Sequence, residues 1–324
     1  MARVGKRAGR NFGFGRQLSY AGPQALKDLF GDGHFATVKA HSDRWQAFVG
    51  WCRSEEGLML NDARQIDREI LMRYAAHVRE QVDQGNVGIA TAQNRLSSVN
   101  RTMAALRGDQ YVKIPSPSKA LSLQRSGVRS EAPQGQHRVQ VEQIAQALSE
   151  QGQQRVSAIV HLARETGMRL REAILPDLPR LQREARQLGK INIQNGTKGG
   201  RSGASAPRWI AVTDQVRDAL YRASEASPKG SRNLLAHDES YKDFLRTVVR
   251  PARDILHEHG LKGFHELRAA YACERYEQLT GFLAPLFVKS GGYLDQAEPL
   301  LALALTAWGP GRLSARPILH ARSP

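Results

Sequence analysis

Gly263-Phe264-His265-Glu266-Leu267-Arg268 is the stretch that decides how this chain is read. A helix that begins here sets His265 and Arg268 one turn apart on the same face. Both side chains then reach a single anionic centre, such as a phosphate. Working outward, Thr166-Gly167-Met168-Arg169 carries an earlier arginine at the opening of another expected helix. Between the two lies Lys198, in the turn-like Asn195-Gly196-Thr197-Lys198-Gly199-Gly200. Four phosphate-seeking groups in this order exceed what composition alone leads one to expect. They raise the question of a nucleophile.

The segments around these groups predict a mainly α fold with a small antiparallel β-sheet. Lys190-Ile191-Asn192-Ile193-Gln194 alternates as a strand does, and Arg208-Trp209-Ile210-Ala211-Val212 reads as its antiparallel partner. Lys198 falls in the Gly- and Ser-rich loop between them. Helices are expected at about 141–148, 155–165, 168–175, 214–223, 241–257 and 265–279, with Gly167 as a helix stop. Nearer the N-terminus, helical spacing predicts 38–52, with Trp45 in a core, and 67–82, with Asp67 as its N-cap. A third helix, 89–106, sets Leu96, Val99, Met103 and Leu106 on one side. Its other side carries Gln93, Asn94, Arg95, Ser97, Asn100 and Arg101, which suits DNA; a solvated face is the alternative.

These readings divide the chain into a flexible basic arm (1–22), a helical domain (23–112), a Pro- and Ser-containing linker (113–138), a second domain (139–281) and an atypical tail (282–324). Arg3, Lys6, Arg7, Arg10 and Arg16 make the arm basic, without an acid among them. The formal net charge of +16 makes a polyanion the expected partner, nucleic acid first and a membrane surface second. Cys52 and Cys273 have no metal-ligand spacing and suggest a reduced, cytoplasmic setting rather than a disulfide framework. No apolar run reaches the length of a membrane span. Neither a metal nor a cofactor is expected.

The order of motifs resembles the tyrosine recombinase/phage integrase family over about residues 37–281. Ala90-Thr91-Ala92-Gln93-Asn94-Arg95-Leu96-Ser97-Ser98-Val99 is similar to the last helix of that family's SAM-like core-binding domain. The second domain looks like its mixed α/β catalytic domain. Thr166-Gly167-Met168-Arg169 matches the segment of the first catalytic arginine, Lys198 falls in the hairpin of the catalytic lysine, and His265-Glu266-Leu267-Arg268 matches the His-x-x-Arg motif. The resemblance implies strand exchange on double-stranded DNA through a 3′-phosphotyrosyl intermediate, by protomers that assemble on the DNA. By that resemblance Arg169 and Arg268 stabilise the nonbridging oxygens, Lys198 protonates the departing 5′-oxygen, and His265 orients the phosphate or assists proton transfer. Gln93, Asn94, Arg95 and Arg101 are the expected DNA contacts of the helical domain.

One departure stands against the family pattern. No Leu-Gly-His block and no tyrosine-bearing helix follow Arg268. Tyr271 and Tyr276 lie within the same expected helix, which leaves Tyr293 as the remaining candidate nucleophile. From Pro299 to Pro324 there is no Asp or Glu, and Leu, Ala, Pro, Gly and Arg dominate. The switch in composition suggests a frameshifted end.

Overall fold

The computed structural model describes residues 9–126, 129, 131–197 and 207–287. It is mainly α-helical with one two-stranded antiparallel sheet among the described residues. The chain divides into two compact units between Val128 and Arg129.

In the first unit, α1 (Leu18–Phe30), α2 (Phe35–Cys52), α3 (Arg68–Asp83) and α4 (Ile89–Arg107) are followed by the short α5 (Pro117–Leu121). Asp67 starts α3 as expected: its carboxylate accepts the Ile70 N–H at 2.9 Å. The stripes Trp45/Phe48, Leu71/Tyr74/Val78 and Leu96/Val99/Met103 meet in one core. Trp45 is fully buried, and its indole N–H donates to the Leu18 carbonyl at 3.0 Å, so the ring leaves no orphan donor there.

Two expectations are corrected here. The described part of the arm is built into the unit. Asn11 is fully buried, its backbone N–H donates to Asp62 and its side chain accepts the Ala63 N–H at 2.7 Å. The helix α1 already begins at Leu18. The linker fares likewise: Ile114 and Leu121 are buried in the first core, and Asn100 brackets the backbone of Ile114 with two bonds of 2.8 Å. A few apolar anchors in a polar stretch suffice to hold it, and composition averages them away.

The second unit is organised on α7 (Gln154–Thr166). Every residue from Val156 to Arg164 is buried, the mark of a helix surrounded on all sides. Against it pack α6 (Arg138–Glu150), α10 (Asp214–Ala226) and α13 (Phe264–Thr280). The short α8 (Leu170–Ile174) and α9 (Leu178–Leu188) lead into the hairpin of β1 (Lys190–Asn192) and β2 (Trp209–Ala211). Its register sets Lys190 opposite Ala211, Ile191 opposite Ile210 and Asn192 opposite Trp209.

The helix expected at 241–257 is broken into α11 (Tyr241–Phe244), a π turn (Leu245–Val249) and α12 (Ala252–Glu258). Pro251 has no N–H to continue the ladder, and the Arg250 N–H reaches back five residues to Leu245 at 3.0 Å. The helix α9 was hidden by Pro176 and Pro179. Pro179 sits in its first turn, where a proline is tolerated, and Asp177 caps it by accepting the Arg180 N–H at 3.2 Å.

Candidate active site

The Thr-Gly-Met turn builds the site from both of its sides. Gly167 ends α7 in the left-handed region, at φ 62°, and its N–H donates to the Ala163 carbonyl at 3.1 Å. A Cβ there would lie 2.4 Å from the ring of Tyr271, so glycine is what lets α13 cross the end of α7. One turn before Tyr271, Arg268 is 3% exposed and donates to the Gly167 carbonyl. On the other side of the turn, Arg169 is the N-cap of α8.

At the third position of α8, Glu172 is fully buried and gathers the surrounding cations. Its carboxylate accepts the Arg169 backbone N–H at 2.7 Å and the Arg169 guanidinium at 2.8 Å. It also accepts the Arg208 guanidinium, at 2.7 and 3.3 Å. Arg208 comes from the residue before β2, where its backbone N–H is held by the side chain of Asn192 at 3.0 Å. The Nε–H of Arg208 is buried without an acceptor among the described residues.

Two guanidinium groups therefore bond one carboxylate, and a third, that of Arg268, lies within reach of its charge. Burial alone would raise the Glu172 carboxyl; the charge of Arg208, then the bonds from Arg208 and Arg169, hold it below the ordinary carboxylate range. Arg268 is pushed down to about 9, first by burial and then by the charges of Arg208 and Arg169. It remains protonated at neutral pH. A surplus of buried positive charge is costly without an anion beside it.

His265 lies one turn before Arg268 and keeps its side chain exposed. Partial desolvation lowers its titration, and Arg268 and Arg129 push further down, against an opposing pull from Glu266. These neighbours favour the neutral imidazole. It offers one donor and one acceptor nitrogen.

The hairpin is pressed against the same turn. A Cβ at Gly196, which has φ 71°, would lie 2.6 Å from the Arg171 carbonyl of α8. Arg180 of α9 anchors the first strand from below, donating to the Asn192 carbonyl at 3.1 Å and to the Asn195 side chain at 3.2 Å. Lys198, two residues beyond Gly196, lies outside the described residues, as does Tyr293. The structure thus brings Arg169, His265 and Arg268 into one neighbourhood. Sequence reasoning missed Glu172, Arg208 and Arg129 there. For Glu172 a signal existed: a glutamate three residues after a helix-opening position can reach back to the capping backbone N–H.

In the first unit, the expected DNA face of α4 is only partly available. Gln93 donates to the Leu123 carbonyl at 2.8 Å, and Asn100 is committed to Ile114. Asn94 and Arg95 are half-buried. Arg101 is exposed, with its guanidinium 5.5 Å above the ring of Phe30. Among the described residues neither Arg95 nor Arg101 pairs with a carboxylate. No group of His, Cys, Asp or Glu among them is arranged to hold a metal ion, and no helix among them is long and apolar enough to cross a membrane.

Residues 127–274 match the family model described as Integrase. No curated protein matches the chain. Among solved structures, a lambda integrase dimer bound to a COC′ core site is similar at 18% identity, over 91% of this chain and 79% of that one, with a TM-score of 0.51. A lambda integrase bound to DNA is 18% identical over 86% of this chain and 94% of its own, with a TM-score of 0.49. XerH site-specific recombinase bound to difH substrate is 15% identical over 79% and 75%, with a TM-score of 0.47. At these identities the likeness is one of fold.

Proposed function

We propose that this chain, which belongs to the tyrosine recombinase/phage integrase family, acts in site-specific DNA integration and recombination by seating a backbone phosphate of double-stranded DNA between Arg169 and Arg268. The observation that carries the reading is the surplus of guanidinium over carboxylate around Glu172, with a buried Arg208 Nε–H that has no acceptor among the described residues. Attack on a phosphodiester concentrates negative charge on the nonbridging oxygens, and guanidinium forks stabilise that charge bidentately. In this reading Arg169 and Arg268 take that role. Glu172 and Arg208 hold Arg169 in place. Neutral His265 orients the phosphate or relays a proton, and Lys198 protonates the leaving 5′-oxygen.

The helical first unit serves as the SAM-like core-binding domain, with Asn94, Arg95 and Arg101 toward DNA. Gln93 contributes less, because its amide is engaged within the unit. Protomers assemble on DNA in the cytoplasm, with no cofactor. A covalent intermediate requires a tyrosine. Tyr293 is the candidate in this chain, within a tail (282–324) read as frameshifted; reading the other frames of the coding DNA for a Leu-Gly-His block and a following Tyr tests that.

That no Leu-Gly-His block with a following tyrosine is read in the sequence after Arg268 favours a second reading, a noncatalytic DNA-binding protein on the same scaffold. A nicked suicide duplex carrying the attachment site separates the two. A covalent adduct on a denaturing gel, lost in Tyr293→Phe, establishes catalysis through this chain. Tight, salt-sensitive binding without an adduct establishes the second reading.

A further inference from the structure

The segment expected to be a free linker is instead strapped across the first turn of α13. Glu266, the neighbour of His265, accepts the Arg129 guanidinium and, on the same oxygen, the Gln134 backbone N–H at 3.0 Å. The Gln134 side chain in turn accepts the Lys262 backbone N–H at 2.6 Å, just before the helix starts. Arg129 also donates to the Glu131 carbonyl at 2.8 Å, which fixes the direction of its guanidinium. Further along, Arg164, itself 2% exposed, donates to the carbonyls of Gly135 and Gln136, both at 2.9 Å, and pairs with Glu274 of α13 at 2.7 Å. The strap thus holds α13 directly at its start, and Arg164 of α7 ties both the strap and Glu274 of α13 to the central helix.

We propose that Arg129 is a positioning residue of the phosphate site: through Glu266 it fixes the first turn of α13, and with it the place and surroundings of His265. The inference rests on the reading of His265 as a phosphate-facing residue. Its physical basis is a balance of neighbours. From α13 come Arg268 and Glu266, from the strap Arg129, and from the start of α8 Arg169. Of these only Glu266 favours the imidazolium, and Arg129 occupies its carboxylate. With Arg129 in place, Glu266 is directed to the strap and a further cation stands near the imidazole. Without it, a cation is lost and a carboxylate is released beside the imidazole.

The two halves of the pair therefore act on His265 in opposite directions, which a merely structural role does not do. Histidine Cε1–H NMR titrations of the full chain, with His265→Gln to assign the signal, test this. Arg129→Gln is expected to move the His265 midpoint up toward its ordinary value. Glu266→Gln is expected to move it down, and Arg129→Lys is expected to keep it near the wild type. Far-ultraviolet circular dichroism and melting curves establish that each variant is folded. Shifts of the same sign in Arg129→Gln and Glu266→Gln, or no shift in folded Arg129→Gln, would overturn the proposal. The titration is read without DNA, so its failure leaves the phosphate-site reading standing, and a failed adduct assay leaves the strap standing.

Discussion

On α4 of the first unit, Arg101 stands exposed over Phe30, and Arg95 is half-buried with no carboxylate partner among the described residues. In the second unit, Arg208 and Arg268 are less than a tenth exposed and are fixed by a carboxylate and a carbonyl. The difference is one of task. Solvated cations attract a polyanion from a distance, weaken with salt and impose little geometry. Buried, hydrogen-bonded guanidiniums cost folding energy, but they meet a phosphate with their orientation already set. One chain holds both kinds, and they should respond differently to mutation.

The largest expected effect is at the hub of the buried set. Glu172→Ala leaves Arg169 and Arg208 without their shared carboxylate and should cost about 3–5 kcal/mol in denaturant unfolding. A loss near zero would mean that the cluster is not the preorganised one described. Next comes Arg268. Its folded titration lies at about 9, whereas the unfolded chain holds that proton to far higher pH. Between those values the unfolded state binds more protons, so the contribution of Arg268 to stability rises with pH. Arg268→Met should therefore be more stable than the wild type at neutral pH, by about 1–4 kcal/mol. That advantage should shrink from pH 8 to pH 10. Inorganic phosphate should raise the wild-type melting temperature and leave that of Arg268→Met unchanged.

Gly167→Ala tests how tightly the cluster is assembled. It meets both a left-handed φ and the Tyr271 ring, and should cost about 1–3 kcal/mol by thermal unfolding. The smallest effect on stability belongs to the exposed set. Arg95→Gln and Arg101→Gln should leave the melting temperature in place. Each should reduce the slope of log affinity for duplex DNA against log salt by about 0.9 if the side chain neutralises one phosphate. A slope unchanged in the double variant would place the electrostatic face elsewhere.

The contrast also marks what the amino-acid order makes legible. Helical period found α2, α3 and α4, because each buries one continuous stripe, and the Asp67 cap marked where α3 starts. Alternation found both strands of the hairpin. That Arg169, His265 and Arg268 lie near one another was legible because their segments each follow a glycine and open a helix. Arg208 was not legible. It meets Glu172 across 36 residues, and no local periodicity encodes which arginine a buried glutamate will choose. The strap was invisible for a related reason. Arg129 and Gln134 hold the start of α13 through backbone and charged groups, so a stretch whose polar composition reads as a linker is made part of a domain by its hydrogen bonds.

The bond between Arg268 and Gly167 joins positions 101 residues apart, and that between Arg129 and Glu266 spans 137. Closing such long loops is slow, and it has to wait for both ends to exist. During synthesis the first unit is complete while α13 is still being made, so a nascent chain acquires its diffuse cationic face well before its ordered one. On the proposed reading, the phosphate seat is completed only once that single helix has been made.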